Sequence, residues 1–372
     1  MKNIKIKWGN LGFNLFVAVL FTVFGFGVFT ATSMAVAIAV SLIIGIAMGF
    51  APRIKSAFFM AVQKEIWEND IEEQIFKDNS FVRLSFRADD FVNGIAVHIP
   101  QSGGSGNVST NRTSLPATVR KRTDTDVIYI IDEYTTDPVL ISNADTVELS
   151  YDKRNSVLGE DKNKLSQTVA EEMLYNWLND FTTGTAVPIP STSIIRTTGA
   201  PIPATAAGAT GTRNSASITD LQAASTFLRK QNRWFEGQMN ALMPSSMQAQ
   251  MFPADSLTTA TYMQSATPEE RLKGFLMKAQ GFGIMQRSTV VIVSEAGVIQ
   301  PPGAATAAGD CEAILLWYTL AVETAYGGTK MFEQMGAPEY YGDLYSFLVR
   351  MGGRARRADF AGMVLLVQGW IS

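Results

Sequence analysis

The amino-acid sequence predicts an α+β chain, and three observations carry that expectation. Period-two segments cluster early, at 81–86, 95–100 and 126–131, around a Gly/Ser-rich tip at 101–107. One long amphipathic helix follows over 155–181, where Leu165, Val169, Met173, Leu174, Trp177, Leu178 and Phe181 recur at helical spacing. Strand and helix signals then come in mixed order, with no βαβ alternation of the kind that builds a parallel sheet.

Composition narrows the function. The chain has 372 residues, enough for one large domain or two ordinary ones. Its 31 Lys and Arg balance 34 Asp and Glu for a net charge of −3, which excludes a strongly basic coat for nucleic acid. Charged residues make up 17%, against about 25% in ordinary soluble domains. The deficit lies in the N-terminal segment and in the Ser/Thr/Ala/Gly/Pro-rich middle. With Cys311 the only cysteine, no intrachain disulfide forms, consistent with folding in a reducing compartment.

The elements follow in order. From Trp8 through Pro52 there is no charged residue; Lys2, Lys5 and Lys7 precede this stretch and Arg53 and Lys55 follow it. Apolar runs at 11–31 and 34–50 flank a turn-like 30–33, and the first matches the roughly 20 residues of a bilayer crossing. Three readings stand: a membrane hairpin with both basic ends cytoplasmic, a secretory signal peptide, and an assembly segment packed against copies of itself. The span is too long for the signal peptide.

Residues 57–76 read as a helix with Phe59, Val62, Ile66, Ile71 and Ile75 on one face. The strands at 81–131 form a long β-excursion with little core of its own, which therefore needs partners on other chains. A short strand is expected at 146–151. The Thr/Ala/Gly/Pro-rich 182–217 reads as loop. Helices are expected at 218–231, with Ser217 or Thr219 as N-cap, and at 244–250. A loop at 274–285 precedes a buried strand at 288–293. The apolar 310–326 fits helix or strand equally, and 361–368 reads as a strand.

Four stretches now carry a resemblance: Val92-Asn-Gly-Ile-Ala-Val-His-Ile-Pro-Gln101, Asn111-Arg-Thr-Ser-Leu-Pro-Ala-Thr-Val119, Asp132-Glu-Tyr-Thr-Thr-Asp-Pro138 and Glu148-Leu-Ser-Tyr-Asp-Lys-Arg154. So do Met60 to Trp67, Pro338-Glu-Tyr-Tyr-Gly342, Gly352-Gly353 and Arg357 to Gly362. Together, over roughly 57–372, they resemble the major capsid proteins of tailed phages and prophages of Bacteroidetes-type hosts.

The resemblance implies the Hong Kong 97-type capsid fold, preceded here by an apolar helical hairpin. In that scheme 1–56 is the membrane-like or scaffold-like segment, 57–80 the N-terminal arm and 81–135 the extended β-hairpin loop. Residues 136–199 are the peripheral domain with its spine helix, 200–340 the axial domain, and 341–372 a return to the core. The implied function is an icosahedral shell subunit assembling with its own copies in pentamers and hexamers around double-stranded DNA. Portal and accessory capsid proteins are further implied partners. Assembly would take place in the bacterial cytoplasm, with the host inner membrane engaged through residues 8–52. The alternatives are an encapsulin-like nanocompartment shell and a membrane-anchored protein.

Chemistry is hard to build from these residues, and no catalytic, cofactor or metal residue is expected. The only histidine, His98, sits in a strand of the excursion and reads as structural. Cys311 reads as a small buried hydrophobe. Gly281-Phe-Gly283 and Gly352-Gly353 lack the Gly-Lys-Ser/Thr of a phosphate loop and read as tight turns. Asp89-Asp90 and Asp132-Glu133 read as solvated or intersubunit acids. Arg112, Arg120, Lys121, Arg122 and Asp137 are candidate intersubunit contacts. Arg354, Arg356 and Arg357 form a candidate interface or DNA-facing basic cluster.

Overall fold

The computed structural model describes residues 79–91, 96–101, 108–113, 115–116, 119, 121, 124–142, 153–181 and 186–371. The apolar segment 8–52, the helix expected at 57–76 and the strand expected at 146–151 lie outside them. Along the chain come β1 (Phe86–Arg87), β2 (Ala96–Gln101), β3 (Thr125–Ile130), β4 (Asp132–Thr135), β5 (Val139–Ser142) and α1 (Lys153–Leu178). Then follow β6 (Asn179–Asp180), β7 (Val187–Pro188), β8 (Ile194–Arg196), β9 (Pro201–Pro203), β10 (Thr212–Asn214), α2 (Ile218–Lys230), β11 (Met239–Pro244), α3 (Ser245–Met251), α4 (Leu257–Met263) and α5 (Pro268–Leu272). The last stretch holds β12 (Met277–Ala279), β13 (Phe282–Arg287), β14 (Val291–Val293), β15 (Cys311–Tyr318), β16 (Val322–Ala337), β17 (Gly342–Ala355), β18 (Met363–Val367) and β19 (Gly369–Trp370).

Helix α1 forms where the apolar spacing places it. Leu165, Val169, Met173, Leu174, Trp177 and Leu178 are all buried, on the stripe the sequence marks. The helix ends before Phe181, which is half exposed, because Asn179 turns its side-chain amide onto the Tyr175 carbonyl (2.8 Å) and starts β6. The stripe covers a sheet ordered β1-β16-β17-β4, with β5 also on β17. Trp177 is its centre. Its ring meets Phe81 edge-on at 5.8 Å and Trp317 at 5.9 Å, and its indole N–H donates to the Glu323 carbonyl.

Gly352 and Gly353 do not make a turn. They sit inside β17, and a Cβ on Gly353 would strike the Met173 sulfur, the Glu323 carbonyl and Trp177 Nε1. These glycines serve close approach, which sequence context does not distinguish from turning.

The second sheet runs β12-β13-β11-β15-β18-β8, with β14 on β15. Leu221, Ala224 and Leu228 of α2, with Met247 and Met251 of α3, bury against Ala241, Met243, Ile284, Ile314, Leu316, Val364 and Leu366 of this sheet. The Asp220 carboxylate accepts from the Ser217 backbone N–H at 2.9 Å and so closes the start of α2. The ambiguous 310–326 resolves as strand: β15 is buried on both faces, so its pattern is continuous rather than alternating.

Two more expectations change. The strand expected at 81–86 is instead a 3₁₀ turn, Ser80–Arg83, with β1 beginning only at Phe86, because the adjacent Phe81 and Val82 are both buried, which an alternating strand could not do. The expected loops at 182–217 and 274–285 carry β7 to β10 and β12 to β13. Strand β8 pairs with distant β18, β10 with distant β19, and β12 with β13 across Gly281, whose φ is +85°.

Candidate functional surfaces

The β2–β3 hairpin has two unlike faces. Val97, Ile99, Val127 and Tyr129 turn inward and cluster with Ala88, Ile131 and Ala325. His98, Ile128 and Ile130 face outward, Ile130 being 65% exposed. His98 Nδ1 lies 2.7 Å from the Asp126 carboxylate, a partner that makes it part of the hairpin's own cross-strand bonding. Beyond the paired strands, Val108, Leu115 and Val119 are 95%, 81% and 95% exposed. That much bare apolar side chain on one excursion is the mark of a surface made for contact.

Arg112 and Lys121 are exposed on this excursion, and Asp137 is exposed between β4 and β5. Arg120 and Arg122 lie outside the described residues.

A second apolar surface caps the long β16–β17 hairpin. Phe332, Met335, Tyr340 and Tyr341 are exposed around its tip, Tyr341 at 81%. Among the described strands, β16 pairs beyond Thr324 with β17 alone, so its outer edge is open there. Sequence reading missed Phe332 and Met335, because an exposed apolar residue in a strand carries no periodic signal of its own.

The C-terminal arginines each meet an acid in their own chain. Arg354 is 4% exposed; its Nη2 lies 2.5 Å from Asp180 and its Nη1 donates to the Ile128 carbonyl at 3.1 Å. Burial pushes its pKa down, and Asp180 acts in the opposite sense. Arg356 Nε stands 3.2 Å from Glu323 while its guanidinium lies 4.2 Å over the Phe86 ring. Arg357 grips Asp359 with two hydrogen bonds of 2.9 and 3.0 Å. Arg350, in β17 with Arg354, stands 3.2 Å from Glu133.

Carboxylates also gather along α1, where Glu171 and Glu172 lie near Asp132 and Arg287 stands 3.6 Å from Glu171. Burial raises the Asp132 pKa; burial first, and then the charges of Asp132 and Glu171, raise that of Glu172. Asn176 of α1 reaches toward Asp132 at 3.5 Å.

Chemistry has little to work with here. Cys311 is fully buried, its sulfur taking the Arg213 Nε–H at 3.2 Å. Among the described residues no group of His, Cys, Asp or Glu could hold a metal ion, and no helix is long and apolar enough to cross a membrane.

Comparison with known proteins places this architecture. No protein-family model matches the chain, and no curated protein does. Solved structures do. The chain is similar to the capsid of Ralstonia phage GP4, with a TM-score of 0.55 at 14% identity over 78% of this chain and 88% of that one. It is similar to the capsid of the cyanophage P-SCSP1u, with a TM-score of 0.52 at 15% identity over 76% and 86%. It is also similar to the capsid of the cyanophage Pam1, with a TM-score of 0.52 at 12% identity over 77% and 88%. These likenesses show the fold: the chain has the Hong Kong 97-type fold seen in phage capsids.

Proposed function

We propose that this chain is a major capsid protein, a self-assembling subunit of the icosahedral shell of a tailed phage or prophage. The observation that supports this most is the coincidence of that fold with an excursion whose apolar residues Val108, Leu115 and Val119 are bare in the single chain. A monomeric protein has little use for such a surface, whereas a shell subunit covers it with a neighbour. Its work is shape complementarity among copies rather than turnover.

The finer reading goes with it. The shell encloses double-stranded DNA through sequence-independent contacts and joins a portal and accessory proteins. The host is of the Bacteroidetes type, and assembly takes place in its cytoplasm. Arg112, Arg120, Lys121, Arg122 and Asp137 anchor the excursion on a neighbouring subunit. Residues 1–56 act in where or how the shell is built, at the inner membrane or as an internal scaffold.

The test is to replace 102–124 with Asn-Gly. Gln101 and Thr125 are paired across the hairpin, so a two-residue turn closes it without disturbing the buried face. The shortened chain is expected to fold and to form no shells in electron micrographs, while the full chain forms closed particles. Normal shells from the shortened chain would overturn the role of the excursion. Failure of the full chain to form particles when produced with its portal and accessory proteins would overturn the capsid reading. Particles filled with a protein cargo instead of DNA would identify a nanocompartment shell.

A further inference from the structure

The direction of the β2–β3 hairpin is set where it leaves the first sheet. The β17–β4 ladder runs through Leu348↔Thr135 and Arg350↔Glu133 and stops at Met351↔Asp132. At the next position, Gly352, the departing chain crosses directly over the strand. A Cβ there would stand 3.1 Å from the Ile130 carbonyl oxygen and 3.2 Å from Ile131 Cα. Two residues further along β17, the Arg354 guanidinium holds the Ile128 carbonyl and is itself held by Asp180, just past the end of α1. On the paired strand, Glu323 is 3% exposed and accepts from the Tyr129 hydroxyl at 3.2 Å, with Arg356 on its other oxygen.

Apolar burial alone does not explain this arrangement. The cluster of Val97, Ile99, Val127 and Tyr129 on Ala88 and Ala325 favours contact but is indifferent to angle. Hydrogen bonds weaken steeply when bent, so two of them to adjacent residues of β3 select one orientation. The lever is long. Six residues of strand span about 20 Å, so a tilt of about 10° at Ile131 moves the far end of β2 by about 3 Å. A misplacement of that size separates a contact from a gap.

We propose that Arg354 and Glu323 are positioning residues for the hairpin: with Gly352 as the bearing, they fix the direction in which β2–β3 projects from the sheet. Arg354 is the more exacting of the two, because its planar fork joins three elements at once: β6 through Asp180, strand β17, and β3 through Ile128.

The full chain with spin labels at His98→Cys and Glu236→Cys reads the angle directly. Both sites are exposed, and the buried native Cys311 does not label. The parent is expected to give one narrow distance. Tyr129→Phe and Arg354→Met are expected to broaden it at least twofold, and Arg354→Lys to fall between, since an ammonium keeps Asp180 but loses the fork. Amide exchange in β11, β15 and β18 is expected to stay within twofold of the parent in the same samples. An unchanged distance distribution in Tyr129→Phe, which keeps the ring and should fold even where Arg354→Met does not, overturns the proposal. So does broadening accompanied by equal loss of protection in the second sheet, which would make these residues general stabilisers. The outcome does not depend on whether the chain forms shells.

Discussion

Two antiparallel hairpins of this chain, β16–β17 and β2–β3, share a local pairing scheme and differ in everything around it. Strand β17 has partners on both sides, β16 on one and β4 and β5 on the other, and α1 covers the sheet through Met173 and Trp177 against Gly353. Phe347, Val349 and Met351 are fully buried there. Strands β2 and β3 pair only with each other among the described strands, bury one face at the base, and carry Ile128 and Ile130 outward. A two-stranded ribbon is marginal alone, so β17 draws its support from strands on both sides in its own chain, whereas in the proposed shell β2–β3 would be completed by a neighbouring subunit.

The sharpest way to break this comparison is a matched pair of truncations. Trp177→Ala removes the ring between Phe81 and Trp317 and is expected to cost about 4 kcal/mol in denaturant unfolding. Ile130→Ala is expected to stay within about 0.5 kcal/mol of the parent while lowering the yield of closed particles. Equal destabilisation by the two would erase the distinction.

Glycines sharpen it next. Gly353→Ala forces a methyl against Met173, Trp177 and the Glu323 carbonyl and should cost about 2 kcal/mol by overpacking. Gly159→Ala, in α1 with open space around the added carbon, should gain up to about 0.8 kcal/mol. Thermal unfolding of both variants checks the pair.

The smallest expected effect is electrostatic and lies under the cover itself. Glu172 of α1 is held above the usual carboxyl range by burial and by the charges of Asp132 and Glu171; Arg287, 3.6 Å from Glu171, is the nearby cation. A raised carboxyl pKa means that the folded state binds more protons than the unfolded one between the two values. Its destabilisation is therefore complete above the raised pKa and relieved as pH falls toward 4.5. Glu172→Gln is expected to stabilise by about 0.5 kcal/mol at pH 8, with the gain vanishing on acidification. A gain independent of pH would assign it to packing instead.

Legibility followed the same division. The stripe of α1, the β2–β3 alternation, the Ser217 start of α2 and the apolar β18 were readable because each buries one face, or both, over a continuous local stretch. The long β16–β17 hairpin was not readable. Near Val322 to Ala325 β16 is buried on both faces, and from Glu333 to Gly336 it is exposed on both, so no single period runs through it. The arginines told even less. Arg354, Arg356 and Arg357 look like one basic patch in sequence, yet Arg354 finds Asp180 and Arg356 finds Glu323, acids far along the chain. No local pattern announces such a partner.

By itself, then, the sequence determined the elements whose burial repeats at a fixed period: the covering helix, the alternating strands of the excursion, and the α+β class. It also placed an uncharged stretch from Trp8 to Pro52 ahead of them. Tertiary structure alone decided which glycines turn the chain and which let two elements touch, which arginines are held inside, and where the excursion is latched. The reason is physical. Periodicity is written by neighbours three or four residues apart in a helix and two apart in a strand, whereas a close approach or a buried ion pair is written by whatever the fold brings alongside.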